Sequence, residues 1–137
     1  MDIRILKNSI EIGSAVSGFL AEEIRRKPNL LLCTASGNTP TMVYAGLVEK
    51  MKTYPTDFMR IIKLDEWGRV SMHDPMSCEY YLQKHLIKPL NISQHNYFGF
   101  DSNHDDPELE IQRMKNVLHE QGPIDVCILG LGLNDHV

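Results

Sequence analysis

The chain has 137 residues, with 14 Lys plus Arg against 18 Asp plus Glu, and therefore a formal net charge of −4. This length fits one domain, and 42% hydrophobic with 23% charged residues is the composition of a folded globular protein rather than a disordered one. A mildly acidic chain without a Lys/Arg cluster binds polyanions poorly, so we expect no nucleic-acid partner.

The cysteines and the chain start restrict the class of protein further. Three scattered cysteines are too few for a disulfide framework, and neither a Cys-x-x-Cys pair nor a metal-pair spacing of histidines indicates a metal site. No basic segment precedes a long apolar run, and the longest uncharged stretch, residues 28–48, has Ser-Gly-Asn-Thr-Pro at its centre. We therefore expect reduced thiols, no secretory signal, no membrane span and a cytoplasmic protein.

Helical and strand-like hydrophobic patterns alternate along the chain. The predicted order is helix 10–26, strand 29–34, helix 39–51, strand 58–64, helix 77–90, strand 96–100, helix 107–121 and strand 124–131. Strands that alternate with helices of this length imply crossover connections, hence a mostly parallel sheet with helices on both faces. The sequence thus predicts an α/β fold, a Rossmann-like three-layer sandwich.

Local patterns predict which side chains pack inside. The expected packing residues of the first and third helices are Ile12, Val16, Phe19, Leu20, Ile24, Tyr80, Tyr81, Leu82, Leu86 and Ile87. Thr39 is the expected N-cap of the second helix, with Pro40 in its first turn. We further expect Cys127 to be buried within its strand and Trp67 to pack over its loop.

The loop after the first strand has the composition of a phosphate-binding turn. Sites in parallel sheets lie beyond the carboxyl ends of the strands, so residues 34–40 are the first place to search. Ser36, Gly37, Asn38 and Thr39 lead into a helix, where backbone N–H groups, the helix dipole and two hydroxyls favour an anion. A capped turn without a ligand is the alternative interpretation.

Two adjacent acids, Asp65 and Glu66, follow the second strand. Neighbouring side chains on a strand point in opposite directions, so one carboxylate would face the crevice while the other makes a structural contact. Asp65 in the crevice would act as a general base. The alternative is a pair of solvated loop acids.

The loop after the last strand, residues 130–137, contains two glycines and ends in Asn-Asp-His-Val. Glycines permit close backbone approach, and His136 can exchange protons near neutral pH. A sheet strand whose loop carries a histidine and then stops is unusual. We interpret the chain as the N-terminal portion of a longer domain.

Together the three loops resemble one family. Ser-Gly-Asn-Thr-Pro at 36–40, Leu-Asp-Glu-Trp at 64–67 and Leu-Gly-Leu-Gly-Leu-Asn-Asp-His at 129–136 are similar to the amino-sugar-6-phosphate isomerases and deaminases, which act on glucosamine-6-phosphate or galactosamine-6-phosphate. Their sister branch is 6-phosphogluconolactonase. The lactonases usually carry Asp-Glu-Arg where this chain has Asp-Glu-Trp, so the chain resembles the isomerases more, and the galactosamine-type members in particular.

The resemblance implies roles for particular residues. Ser36, Gly37, Asn38 and Thr39 would hold the phosphate of a small-molecule sugar phosphate. Asp65 would move a proton between C2 and C1 of the open-chain sugar, and His136 would help to open the pyranose ring. Neither a metal nor an organic cofactor is implied.

Two departures from the family pattern affect what the chemistry can be. Asn134 stands where many deaminases have Asp, and an amide cannot act as a base at neutral pH. Asp135 replaces a glycine of the same loop. The alternatives that the sequence leaves open are a lactonase-type hydrolase and a sugar-phosphate-sensing module without catalysis. Oligomeric state stays open, with a homo-oligomer among the possibilities.

Overall fold

A computed structural model of the chain describes residues 2–130. Its helices are α1 (Ser9–Arg26), α2 (Asn38–Met51), α3 (Cys78–Leu82) and α4 (Pro107–Gln121), and its strands are β1 (Leu31–Thr34), β2 (Arg60–Lys63), β3 (Tyr97–Phe98) and β4 (Val126–Ile128). Helix α3 continues as a π-helical segment, Gln83–Ile87, and a 3₁₀ turn, Gln94–Asn96, leads into β3. Strands and helices therefore alternate as the sequence predicts.

The described strands form one parallel sheet in the order β3-β2-β1-β4. β1 pairs with β2 from Leu31 opposite Arg60 to Thr34 opposite Lys63. On its other side β1 pairs with β4, so that Cys33 lies opposite Cys127. Because β1 is central, the loop that follows it starts between the carboxyl ends of β2 and β4.

The helices cover both faces of the sheet and form a three-layer sandwich. On one face α1, α2 and α3 enclose a core that includes Leu20, Leu32, Leu47 and Ile61. On the other face α4 packs through Met114 on Leu31, Cys33 and Ile62. Successive strand residues thus contribute to two separate cores, because neighbouring side chains along a strand point to opposite faces of the sheet. The predicted α/β class is confirmed.

Helix boundaries follow local capping chemistry. Asn8 caps α1 by accepting a hydrogen bond from the Glu11 N–H, and Asp106 caps α4 by accepting from the N–H groups of Glu108 and Leu109. Ser77 caps α3, accepting from the Tyr80 N–H. The bounds predicted for α4 match the structure because a cap, a first-turn proline and a Gly-Pro stop all mark them locally.

Several predicted packing residues are exposed instead. Ile12, Phe19 and Tyr80 expose 43%, 52% and 39% of their surface. The buried stripe of α1 consists of Gly13, Ser17, Leu20, Ala21 and Ile24. It is rotated from the expected one because small residues, rather than the large apolar ones, allow α2 to approach α1 closely.

The strands are shorter than predicted, and one cysteine is not where it was expected. Asn96 belongs to the 3₁₀ turn before β3, and Phe58 and Leu64 lie outside β2, exposed. Cys127 is exposed rather than buried, because α4 covers the central strands and not β4. None of the helices within residues 2–130 combines the length and the apolar character that crossing a membrane requires.

Candidate functional site

The loops after β1 and β2 begin side by side at the carboxyl edge of the sheet. The Leu64 N–H donates a hydrogen bond of 3.0 Å to the Thr34 carbonyl, which extends the pairing of the two strands by one step. Residues 34–40 and 64–67 therefore leave the sheet at one place. Parallel α/β sheets bind ligands at this edge.

The first loop presents the start of α2 to solvent. Gly37 is the N-cap, with φ of 105°, a left-handed conformation that glycine adopts without strain. The helix starts at Asn38, so the expectation that Thr39 is the N-cap was wrong, although Pro40 does lie in the first turn. Because Gly37 has no side chain to cap the helix, the exposed first turn offers N–H groups and the positive end of the helix dipole.

Side chains behind this loop hold its backbone. The Tyr44 hydroxyl donates to the Ala35 carbonyl at 2.6 Å, and the Thr41 hydroxyl donates to the Gly37 carbonyl at 3.1 Å. Ser36 is half-buried, and its hydroxyl donates to the Cys78 thiol at 3.0 Å. The residues after β4 approach the start of α2, since a Cβ added to Gly130 would be 3.3 Å from the Thr39 Cβ.

The structure separates the two acids of the second loop. Asp65 is exposed, whereas the Glu66 side chain is only 2% exposed. Glu66 forms an ion pair with Lys63 at 2.7 Å. Burial alone would raise the pKa of the Glu66 carboxyl, but hydrogen bonds from Lys63, Trp67 and Cys78 outweigh that effect and lower it.

A cavity of about 560 Å³ adjoins Asp65 on the side of the sheet that α4 covers. Its walls come from the turn after β2, the turn after β3 and the start of α4, and they include Asp65, Arg69, His104 and Glu110. Residues 36–39 do not line it. Asp65 thus lines a cavity that the first loop does not reach, and the two loops are connected by hydrogen bonds through Cys78.

A buried charged cluster beneath the second loop was missed by the sequence analysis. Lys63 is 1% exposed and donates to Glu66, to Glu79 at 3.0 Å and to the Phe100 carbonyl at 3.2 Å. Glu79 also accepts from the Tyr97 hydroxyl at 2.7 Å. The one available signal was a lysine at the end of an apolar strand, three residues before a glutamate.

Other expectations for this edge have different outcomes. Trp67 does not pack over the loop, since 65% of its surface is exposed. His104 lies in the loop before α4. Asn134 and His136 lie outside the described residues. Within residues 2–130, no cluster of His, Cys, Asp and Glu side chains is placed to hold a metal ion.

Chemically, this edge combines an anion-binding helix start with an exposed carboxylate on the neighbouring strand. Backbone N–H groups at the start of α2 suit a phosphate, and a carboxylate at the end of β2 suits proton transfer.

Comparison with known proteins identifies the family to which the chain is similar. Residues 9–137 match the model of the family described as glucosamine-6-phosphate isomerases/6-phosphogluconolactonase. The chain is 35% identical over 134 residues to AgaI of Escherichia coli (strain K12), which is named as a deaminase, covering 96% of this chain and 53% of that protein. It is 30% identical over 139 residues to the glucosamine-6-phosphate deaminase of Thermoanaerobacter sp. (strain X514), covering 100% of this chain and 55% of that one.

Solved structures give the same result for the fold. A monomeric glucosamine-6-phosphate deaminase of the NagB superfamily superimposes with a TM-score of 0.92 at 27% identity, covering 99% of this chain and 57% of the other. The 6-phosphogluconolactonase of Plasmodium vivax superimposes with a TM-score of 0.80 at 18% identity, covering 95% and 47%. The latter likeness concerns the fold alone.

The match extends over almost the whole chain but only part of its relatives. The chain spans about half the length of the proteins that it matches, 53% and 55% for the two named above. Even so, the family model covers residues 9–137, which include all three loops. The chain belongs to the glucosamine-6-phosphate isomerase/6-phosphogluconolactonase family.

Proposed function

We propose that this chain carries the phosphate-binding loop and the proton-transferring carboxylate of an amino-sugar-6-phosphate isomerase/deaminase. The substrate is glucosamine-6-phosphate or galactosamine-6-phosphate. Residues 36–39 bind the phosphate, and Asp65 is the base. A relative at 30% identity is named glucosamine-6-phosphate deaminase, which supports this substrate class.

The observation that carries the proposal is the placement of Asp65. It is exposed at the carboxyl end of β2, directly beside β1, whose loop leads into the start of α2, where no side chain caps the helix. A phosphate bound by the N–H groups of that helix start would anchor one end of an open-chain hexose. The reacting carbons at the other end could then lie against the Asp65 carboxylate.

Asp65 would transfer one proton between two neighbouring carbons. It takes the proton from C2 of the open-chain amino aldose, and the electron pair of that bond forms a C1–C2 double bond while the C1=O π bond opens and O1 takes a proton from the solvent. It then returns the proton to C1 of this enolamine, and the nitrogen lone pair forms a C2–N double bond, which leaves a protonated imine at C2. Water hydrolyses this imine and releases ammonia, so the products are the ketose phosphate and ammonia.

The roles of the last loop follow from the family resemblance. His136 serves the ring oxygen when the pyranose opens, because imidazole exchanges protons near neutral pH. Asn134 contributes hydrogen bonds only, since its amide is not a base. The relatives are about twice as long, so we infer that the 137-residue chain alone has little or no activity and that the chain joined to a complementary half is active.

Isotope exchange tests the proposal. The chain, and the chain extended after Val137 by the remaining half of the Escherichia coli relative, are incubated with each amino-sugar phosphate in deuterated water. For the extended chain we expect deuterium at C1 of the product, ammonia release, and binding that requires the phosphate, whereas full activity of the 137-residue chain would refute the need for a complementary half. Asp65→Asn should reduce the exchange by about 10²–10⁴-fold, the usual contribution of a general base, while leaving binding intact.

Other outcomes would support the alternatives. Hydrolysis of a phosphogluconolactone without deuterium uptake would indicate a lactonase. Phosphate-dependent binding without turnover in either protein would indicate a sensing module. If Asp65→Asn retained the exchange rate of the wild type, Asp65 would not be the base.

A further inference from the structure

The buried neighbour of Asp65 is held by four hydrogen bonds. One carboxylate oxygen of Glu66, Oε1, accepts from the N–H groups of Trp67 and Cys78, both at 2.9 Å. The other, Oε2, accepts from the Lys63 ammonium at 2.7 Å and from the Glu79 N–H at 2.8 Å. The carboxylate therefore ties the turn after β2 to the first two residues of α3.

The Lys63 ammonium holds the Glu66 carboxylate in place. This ammonium has three donors, and each finds an acceptor: Glu66, Glu79 and the Phe100 carbonyl. Glu79 is held in turn by Tyr97 and by the Gln83 amide, at 2.7 and 2.9 Å. A fully satisfied buried network has one low-energy arrangement, so it holds the Glu66 carboxylate in one position.

Cys78 extends the connection to the proposed phosphate loop. Its N–H donates to Glu66, and its thiol accepts from the Ser36 hydroxyl at 3.0 Å. The first residue of α3 thus contacts both loops at the carboxyl edge. Cys78 thus connects the turn that carries Asp65 to Ser36 by hydrogen bonds.

We propose that Glu66 is a positioning residue, which fixes Asp65 relative to the phosphate loop by joining its turn to the start of α3. The inference rests on the proposed function for its consequence in catalysis. A carboxylate that serves two neighbouring carbons must lie within reach of both, and displacement by about 1 Å can cost about 10²-fold in rate. Loss of the Glu66 link would therefore slow proton transfer more than it weakens phosphate binding.

The test is Glu66→Gln, which keeps the shape but replaces one accepting oxygen by a donating amide. Two of the four donors would then face another donor. We expect deuterium exchange into the sugar to fall about 10–100-fold, with the dissociation constant of the sugar phosphate changed less than about threefold. Amide hydrogen exchange at Trp67, Cys78 and Glu79, followed by NMR, should accelerate about 10-fold as those hydrogen bonds are lost.

The matched control is Asp125→Asn at the opposite edge of the sheet. The Asp125 carboxylate likewise bridges a lysine and a strand amide, accepting from Lys27 at 2.6 Å and from the Leu31 N–H at 2.8 Å. This variant should leave sugar exchange and the three amides near α3 unchanged. Glu66→Asp provides a second variant, which retains the charge. Its deuterium exchange rate should also fall more than its sugar-phosphate binding weakens, but both changes should be smaller than in Glu66→Gln.

Two results would overturn the inference. One is unchanged protection of Trp67 and Cys78 in Glu66→Gln, which needs no turnover to be measured. The other is a dissociation constant that weakens by the same factor as the exchange rate. Failure of the proposed function gives a different result, because neither the 137-residue chain nor the extended protein would then exchange deuterium into the sugar. The amide exchange rates would still decide whether Glu66 holds the turn.

Discussion

At the scale of single residues, the least expected feature is the buried ammonium of Lys63. Its side chain is 1% exposed at the end of β2, directly after the buried Ile61 and Ile62. A charge in this position is tolerated only where hydrogen bonds and opposite charges replace water, and Glu66, Glu79 and the Phe100 carbonyl do so.

Removing this ammonium should cost far more than removing an exposed one. Lys63→Met leaves two carboxylates buried without a cation, and we expect it to lower the free energy of unfolding by about 3–5 kcal/mol. Lys27→Met, which breaks an exposed pair with Asp125, should cost at most about 1 kcal/mol. Urea unfolding followed by circular dichroism measures both, and equal losses would contradict the role given to Lys63.

At the scale of elements, α1 and α2 are in contact through small residues. A Cβ added to Gly13 would lie 2.9 Å from backbone atoms of Met42, and one added to Gly46 would lie 2.5 Å from the Ser17 Oγ. The two helices can approach this closely only where one side chain is missing. This contact, rather than the largest apolar residues, sets which stripe of α1 is buried.

Two glycines of the same helix should respond to alanine with opposite signs. Gly13→Ala should destabilise by about 1–3 kcal/mol, because the new methyl group meets backbone that cannot move independently. Gly18→Ala should stabilise by up to about 1 kcal/mol, since its Cβ would have only the Lys50 Cε nearby, at 3.9 Å, and alanine favours the helix. Thermal and urea unfolding compare the two, and stabilisation by Gly13→Ala would exclude the close contact.

At the scale of the whole molecule, carboxylates with lowered pKa are distributed over the fold. The guanidinium of Arg113 lowers the pKa of Glu110 at the start of α4, and the ammonium of Lys27 lowers that of Asp125 before β4. For Glu66, burial opposes the shift, but its hydrogen bonds outweigh burial. The folded state thus favours the charged form of each of these three carboxyl groups.

These shifts predict acid sensitivity. A carboxyl group whose folded pKa is lowered contributes stability that is present above its ordinary value, 4.5 for Glu66 and Glu110 and 3.8 for Asp125. That contribution is lost as pH falls through the folded pKa, because the unfolded chain then binds more protons. The urea concentration at the unfolding midpoint should stay constant between about pH 7 and pH 5 and should decrease below pH 5.

The control for this pH dependence is Asp125→Asn, which removes one of the shifted groups. Its urea midpoint should fall less steeply between about pH 4 and pH 3 than that of the wild type. A midpoint that rises on acidification would show that the carboxylates are not stabilised in the folded state.

The sequence by itself determined those features that depend on neighbours along the chain. Helix α4 has the predicted bounds because Asp106, Pro107 and Gly122 mark its ends through capping and φ restriction. The alternation of strands and helices identified the parallel sheet, and the sheet in turn identified the edge where Asp65 and residues 36–39 lie. Periodicity and chain order were sufficient for each of these.

Only the tertiary structure decided which side chains are buried and how the two loops are connected. Phe19 is exposed because α2 approaches α1 through glycine and serine, and Cys127 is exposed because α4 covers other strands. Lys63 and Glu79 lie 16 residues apart along the chain and meet within the fold. Such contacts depend on how elements pack together, and no local pattern of residues carries that information.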